Sequence, residues 1–359
     1  MKLVVLGLTL SSSWGNGHAT TYRALLAAFA RRGHEVLFIE RDKPWYANHR
    51  DLADPDFCTL AYYESVDELA RWHNSISDAD AVIVGSYVPE GIAVGDVVQR
   101  EANGVTAFYD IDTPVTLAAL DRGDCAYLSP ELIPGFDLYL SFTGGPTLDR
   151  LERQYGSPAA RALYCSVNGS VYRPTGATKK WDLSYLGTYS PDRQPALERL
   201  LTDVARACPD RRFAVAGPQY PAEINWPANV ERIDHLSPSD HPAFYSASRF
   251  TLNVTRADMV TAGWSPSVRL FEAGACGTPI VSDAWDGIDA LFEPGREIIL
   301  ARDTREVIDA LAGDAGAIGA AARRRVLSAH SADHRAAELE TLINTAIASQ
   351  RHHLMAAVS

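Results

Sequence analysis

The stretch Trp264-Ser265-Pro266-Ser267-Val268-Arg269-Leu270-Phe271-Glu272-Ala273-Gly274-Ala275-Cys276-Gly277-Thr278-Pro279-Ile280-Val281 reads as loop, helix, stop and strand. Ser265 suits an N-cap, because its hydroxyl accepts from a free backbone N–H of the first turn. Pro266 then falls at the first helical position, where a missing N–H costs nothing. Val268, Phe271 and Ala275 recur at i, i+3 and i+7, so one face packs inward. Gly277 supplies the left-handed residue after the helix, and Pro279 cannot continue it. A helix start with free N–H groups attracts anions, phosphate above all. Arg269 and Glu272 lie three apart and share a face one turn in. Such a pair suits a nucleotide, with phosphate at the helix mouth and ribose hydroxyls deeper. The same spacing also fits a buried crossover helix whose Arg and Glu pair with each other.

On either side of this stretch the chain alternates strand and helix. Residues 3–8 form a near-continuous apolar strand, and 18–32 a helix with Tyr22, Leu25, Leu26 and Phe29 on one face. Gly33 stops it and 35–40 is the next strand. Further strands are expected at 58–62, 81–84, 105–109 and 138–142. The turn-rich residues 164–180 break the pattern and predict a linker. Alternation restarts with strand 183–186, helix 195–207, strands 213–216 and 230–233, helix 239–246 and strand 250–254. Strands 279–282 and 297–300 follow the opening helix. The last helix carries Leu339, Leu342, Ile343, Ala346 and Ile347 as an apolar stripe. Residues 350–359 read as a flexible tail. Strands alternating with helices predict parallel sheets covered on both faces. Two such units in succession place ligands outside the carboxyl ends of their strands.

With 359 residues, 47% hydrophobic and 22% charged, the composition is globular and long enough for two domains. A net charge of −12 argues against nucleic-acid or anionic-membrane binding, both of which need a basic surface. Cys58, Cys125, Cys165, Cys208 and Cys276 form no C-x-x-C pair, which fits reduced thiols in a cytoplasm. Residues 1–10 are apolar but too short to span a bilayer. They run into Ser11-Ser12-Ser13-Trp14-Gly15 without a small-x-small cleavage site, so they read as a strand.

The second informative loop is Trp14-Gly15-Asn16-Gly17-His18, between the first strand and the first helix. Gly15 and Gly17 allow a tight turn. His18 at the helix start is a candidate general base or, equally, a structural cap. Gly15-x-Gly17 with Glu40 ending the second strand also spells part of a dinucleotide fingerprint, so an NAD(P)-dependent oxidoreductase is the rival reading. Asp110 and Asp112 follow the strand at 105–109. Either orients His18, or Asp112 caps the next helix before Thr113. Gly144 and Gly145 repeat the strand–glycine–helix pattern. Trp45 and Tyr46 are candidate stacking platforms for a sugar, or core and rim residues. In the second half Arg193, Leu236 and Arg256 follow strands. Arg193 is a candidate for bidentate contact with phosphates. No cluster has metal-ligand spacing, so no metal dependence is expected.

Together these residues resemble a GT-B glycosyltransferase of the family 4-like kind. The stretch from Phe271 to Val281 is similar to the donor-site helix of such enzymes, and Gly15-Asn16-Gly17-His18 with Arg32-Gly33-His34-Glu35-Val36 to their first βαβ unit. Trp14–His18, Tyr109–Pro114, Phe142–Pro146 and Ser265–Glu272 look like the spore-maturation CgeB-type branch. The resemblance implies two Rossmann-like doubly wound α/β domains facing a cleft. An acceptor domain over 1–170 would be joined by a returning helix at about 332–349, and a donor domain would span 171–331. It implies no tightly bound cofactor and a UDP-, GDP- or dTDP-sugar as co-substrate. Carried over by position, Glu272 holds the ribose, while Ser265, Ser267, Arg269 and Arg193 face the diphosphate. The backbone near Leu236 faces the base, and His18 with Asp110 resembles the His–Asp base of inverting members. Gly15, Asn16, Gly17, Trp45, Tyr46, Asp112, Thr113, Gly144 and Gly145 would lie on the acceptor side. Trp264 occupies the place of the first Glu in the two-glutamate motif of retaining members. The acceptor (glycan, natural product or protein), the oligomeric state and the stereochemistry stay open at this point. Membrane contact is expected only for a lipid-linked acceptor. A nucleotide-sugar epimerase or a non-catalytic binding protein of the same shape remains the other alternative.

Overall fold

A computed structural model describes residues 1–14 and 17–358, with side chains as far as His352. Gly15 and Asn16 of the glycine loop lie outside the described residues. The chain divides into two compact units, Met1–Cys165 with Ala332–Ser359, and Ser166–Ser331.

Unit 1 is built on a seven-stranded parallel sheet in the order β3-β2-β1-β4-β5-β6-β7. Its strands are β1 (Lys2–Gly7), β2 (Glu35–Arg41), β3 (Thr59–Tyr63), β4 (Ala81–Gly85), β5 (Val105–Asp110), β6 (Leu138–Ser141) and β7 (Ala160–Ala162). The apolar runs expected at β1, β2, β4, β5 and β6 are largely buried, as in a parallel sheet covered on both faces. Val4, Leu6, Ile39, Val82, Val84 and Phe108 belong to the core on one face. The strand order reverses between β1 and β4, so the carboxyl ends of these two strands, near Gly7 and Gly85, form the switch point. Helix His18–Arg31 follows β1. The C-terminal helix Ala332–Val358 packs beside it, with Leu339 and Ile343 buried and Arg32 Nε donating to Glu340 at 2.6 Å. The backbone stays helical through 350–358, where a flexible tail was expected; Gln, Arg, Leu, Met and Ala are good helix formers and continue the turn.

Unit 2 carries a six-stranded parallel sheet in the order β10-β9-β8-β11-β12-β13. Its strands are β8 (Trp181–Leu186), β9 (Phe213–Ala216), β10 (Val230–Ile233), β11 (Ser248–Asn253), β12 (Ile280–Ser282) and β13 (Ile299–Leu300). The order again reverses, between β8 and β11. Leu183, Phe213, Val215, Phe250 and Leu252 fill the core with Leu200 and Val204.

The opening helix spans Val268–Ala275, two residues later than its N-cap signal suggested. Ser267, not Ser265, is the N-cap, with φ −82° and ψ 151°. The physical reason is tertiary. The Ser267 hydroxyl donates to Asn253 Oδ1 at 2.7 Å, which holds Ser267 extended and makes no cap bond to the helix. Gly277 takes φ +69° as expected.

Candidate functional site

In unit 2 most of the expected donor residues collect at the carboxyl ends of β8 and β11. Arg269 is buried, with its guanidinium 4.8 Å from the Tyr185 ring centroid. Its Nη1 donates to Asn253 Oδ1 at 2.9 Å and its Nε to the Leu186 carbonyl. Gly187, the next residue, lets the Arg269 and Tyr185 side chains approach the backbone. A Cβ there would stand 2.8 Å from Arg269 Nη2 and 2.7 Å from the Tyr185 hydroxyl. Gly217, at φ +139°, leaves room for the Gly187 carbonyl in the same way. Arg193 donates from Nη2 to the Thr188 carbonyl at 2.7 Å, and its Nε is buried with no hydrogen-bond partner among the described residues. Burial lowers the Arg193 pKa, and the like charge of Arg269 adds to that, while the Tyr185 and Tyr220 hydroxyls and Asp192 oppose it.

Two guanidiniums thus stand close together at a helix start, one with a donor unused. The carboxylates nearby have other partners. Asp192 accepts from the Ala257 amide at 3.0 Å and approaches Arg256 Nε at 3.9 Å. Asp283 accepts from the Thr255 amide at 3.1 Å and its hydroxyl at 2.9 Å, and burial raises its pKa. In a chain of net charge −12, this edge is a local positive site that suits an anion with several oxygens.

Arg269 and Glu272 share a helix face but no ion pair joins them. Glu272 is buried and accepts from the Tyr245 hydroxyl at 3.1 Å, with His241 Nδ1 at 3.7 Å. Burial opposes its ionisation, but bonds from His241, Tyr172 and Tyr245 outweigh that and hold its carboxyl below the usual glutamate range. Tyr172 and His241 were not singled out from sequence, because they come from segments far from the helix. Ser265 is buried and Leu236 half-buried in the loop after β10. Trp264 is held at φ 42° by its amide, which donates to the Asp286 carbonyl at 2.6 Å. Its ring covers Gly287, where a Cβ would stand 2.4 Å from the indole. Arg232 stacks over Tyr220 and Trp226 at 4.2 and 5.1 Å, an aromatic group that the Pro-rich loop 218–227 did not announce.

In unit 1, Glu40 is fully buried and its carboxylate serves the loop after β1. It accepts from Thr9 Oγ1 (2.9 Å), the Leu10 amide (2.7 Å), the Ser11 amide (2.9 Å) and Ser11 Oγ (2.7 Å). The acid that a dinucleotide would need for its ribose is therefore occupied, and the oxidoreductase reading is not favoured. Asp110 is also buried and accepts from Tyr139 at 2.6 Å, Thr116 at 2.8 Å and the Asp112 amide at 3.2 Å. Asp112 is the N-cap of helix Thr113–Arg122, and its side chain accepts from Tyr87 at 3.3 Å without making a cap bond. Thr113 Oγ1 meets Ser141 Oγ at 2.8 Å. Gly144 is buried, and Gly145, at φ +58°, caps helix Pro146–Arg153. Trp45 is 51% exposed, and Tyr46 is half-buried beside it. Gly17 precedes His18, whose ring meets Tyr87 edge-on with centroids 5.3 Å apart.

Burial lowers the His18 pKa from 6.5 to about 4 and raises that of Asp110 from 3.8 to about 6. The signs oppose each other. The fold prefers neutral His18, a stability present above pH 6.5 and lost as pH falls through about 4. The fold also prefers protonated Asp110, a stability present below pH 3.8 and lost as pH rises through about 6. Asp110→Asn removes the second slope. Relative to wild type, the variant should gain about 1.4 kcal/mol per pH unit between roughly pH 4 and 6. Urea unfolding across that window tests this, and parallel profiles for the two proteins refute it.

Among the described residues no group of three or more His, Cys, Asp or Glu side chains could hold a metal ion. None of their helices is long and apolar enough to cross a membrane.

Two parallel α/β units, each with a strand-order reversal and with a C-terminal helix returning to the first, define the GT-B fold. The solved structures agree. Sucrose-phosphate synthase from Thermosynechococcus elongatus matches with a TM-score of 0.67 at 15% identity, over 97% of this chain and 100% of that one. HepE from Anabaena in complex with UDP matches at 0.70 and 14%, over 96% and 100%. AviGT4, a glycosyltransferase involved in avilamycin A biosynthesis, matches at 0.64 and 16%, over 97% and 98%. In sequence, residues 193–341 match the family model described as glycosyl transferase-like. Comparison with curated proteins gives no match.

Proposed function

We propose that this chain transfers a sugar from a nucleoside diphosphate sugar to an acceptor hydroxyl or amine. The observation that carries this is the Arg193–Arg269 pair at the carboxyl edge of β8, with an unused guanidinium donor under a glycine-lined backbone. The glycosyl transferase-like match begins at Arg193 and contains the opening helix. HepE has been seen with UDP and glucose, and an α-glucosyltransferase of the same fold with UDP-glucose, which favours a UDP-sugar here. The likeness of the Ser265–Glu272 stretch to the CgeB-type branch supports the same assignment.

In this reading Arg193, Arg269 and the helix start at Ser267 take the diphosphate and stabilise the charge it gains as it leaves. They do so without a metal ion. The Leu236 backbone and the Tyr220–Arg232 stack lie toward the base, and Glu272 with Tyr245 supports the ribose side. Arg256 balances Asp192 at the rim. His18 is neutral at pH 7, the form a general base needs, although its low pKa makes it a weak one. With no carboxylate at Trp264, inversion is the stereochemistry His18 favours. Asp110, taken up by Tyr139 and Thr116, anchors the segment after β5. Gly17, Trp45, Tyr46, Asp112, Thr113, Gly144 and Gly145 frame the acceptor side of unit 1. Five cysteines without disulfides fit a reducing cytoplasm.

Calorimetric titration with UDP, UDP-glucose, GDP-glucose and dTDP-glucose is the test, followed by assay of nucleotide release. Micromolar binding of one nucleotide, with release that requires an added acceptor, is expected. Release without acceptor would indicate a hydrolase or epimerase. Failure of every nucleotide to bind would sink the assignment.

A further inference from the structure

Arg41 ends β2 with a guanidinium that the surrounding fold leaves unsatisfied. Its side chain is only 10% exposed, and Nη2 pairs with Glu90 Oε2 at 2.7 Å. Its Nε and Nη1 are buried with no hydrogen-bond partner among the described residues. Tyr63 faces Arg41 across the β2–β3 ladder, and the Arg41 Cζ lies 5.3 Å from its ring centroid. The Tyr63 hydroxyl is buried and unpartnered as well. Burial raises its pKa, so it remains an O–H donor at neutral pH. Two neighbouring side chains at the carboxyl edge thus carry buried donors that the described residues leave unused. Folded proteins seldom leave buried donors unmade without a functional reason.

Glu90 is the counterion, and it comes from elsewhere. It is the N-cap of helix Gly91–Glu101, and its side chain is 51% exposed. It holds the guanidinium through Nη2 alone. An oxyanion that displaced it would reach Nη2 and Nε together along one edge of the guanidinium, a stronger two-bond grip. The first N–H groups of the helix, on the same side as Glu90, favour an anion there too. Lys43 and Arg50 flank the same strand end; Arg50 pairs with Asp42 at 2.9 Å and stacks on Tyr62.

The geometry points to a phosphate-monoester subsite on unit 1, formed by Arg41 and Tyr63 and closed by Glu90 in the empty protein, which recognises the phosphate of the sugar acceptor. A phosphate has enough oxygens for the guanidinium edge, the tyrosine hydroxyl and a helix N–H at once; a carboxylate, with two oxygens, engages fewer. That the ligand is an acceptor rests on the transferase reading, whereas phosphate binding itself does not.

Inorganic phosphate titrated calorimetrically into the full chain tests it. An Arg193→Gln background weakens the anion site of unit 2, and turnover is read separately in chains that keep Arg193. Glu90→Gln, a change at a half-exposed position, should tighten phosphate about five- to tenfold by removing the internal competitor. Arg41→Gln should weaken it at least tenfold. If the Glu90→Gln protein binds no phosphate, or Arg41→Gln binds it as well as the parent, the buried donors hold water only and the proposal falls. Arg41-dependent phosphate binding in a chain that turns over no nucleotide sugar would keep the subsite and reject the transferase reading. Turnover without Arg41-dependent binding would do the reverse.

Discussion

Glu40→Ala should lower the stability of the chain by about 3–5 kcal/mol, the range for stripping a buried, multiply bonded charge from its partners. The carboxylate is inaccessible and gathers two backbone amides and two hydroxyls from Thr9, Leu10 and Ser11. Alanine leaves those donors facing a void. The neutral isostere separates charge from shape. Glu40→Gln keeps the volume but turns one acceptor into a donor pointed at donors, so it should still cost roughly 1–3 kcal/mol. For a unit of this size the alanine variant should melt roughly 6–20 °C lower. The loop also leads toward His18, so residual folded protein should lose turnover while its donor affinity in unit 2 is unchanged. A melting temperature within about 2 °C of wild type would mean that the loop holds itself, through Asp51 and Arg23, without Glu40.

Glu40 also shows how far spacing reads a site. An acid ending the second strand after a G-x-G turn is the spelling of a ribose-binding residue. Its partners, however, are three residues of the loop that the same turn creates, and no pattern in the sequence announces those bonds. The sheets were legible because continuous apolar runs such as 3–6 and 81–84 suit only strands buried on both faces. Strand β7, Ala160–Ala162, was not expected: it is three residues long, on the edge, and carries an arginine at its centre. The helix Val268–Ala275 was visible through its glycine stop and apolar face. Its start was misplaced, since Asn253 holds Ser267 from a strand fourteen residues earlier. The same limit governs Arg269 and Glu272. Helical spacing placed them on one face, but their partners, Asn253 and Tyr245, come from other elements and draw the two side chains apart.

That separation makes Arg193 and Arg269 different experiments. Arg269 is structural as well as cationic, since it bonds Asn253 and the Leu186 carbonyl, so its loss mixes instability with lost affinity. Arg193 makes one side-chain hydrogen bond among the described residues, to the Thr188 carbonyl, and its Nε is unused. Burial and the neighbouring guanidinium disfavour its charge. Arg193→Met keeps the apolar stem, relieves the like-charge contact and removes the unpaired donor. Its unfolding free energy should therefore stay within about 1 kcal/mol of wild type, or rise. In the proposed function a bound diphosphate would reverse the balance, because its charge would satisfy both arginines at once. Losing charge-assisted bonds worth about 1.5–3 kcal/mol each should weaken a UDP-sugar by roughly ten- to a few-hundredfold. Calorimetric titration and urea unfolding on one preparation separate the two effects. A variant that binds UDP-sugar as wild type does would show that the unused donor serves no anion. A variant that unfolds far more easily would show that Arg193 belongs to the scaffold, so that the charge meeting the diphosphate must come from Arg269 alone.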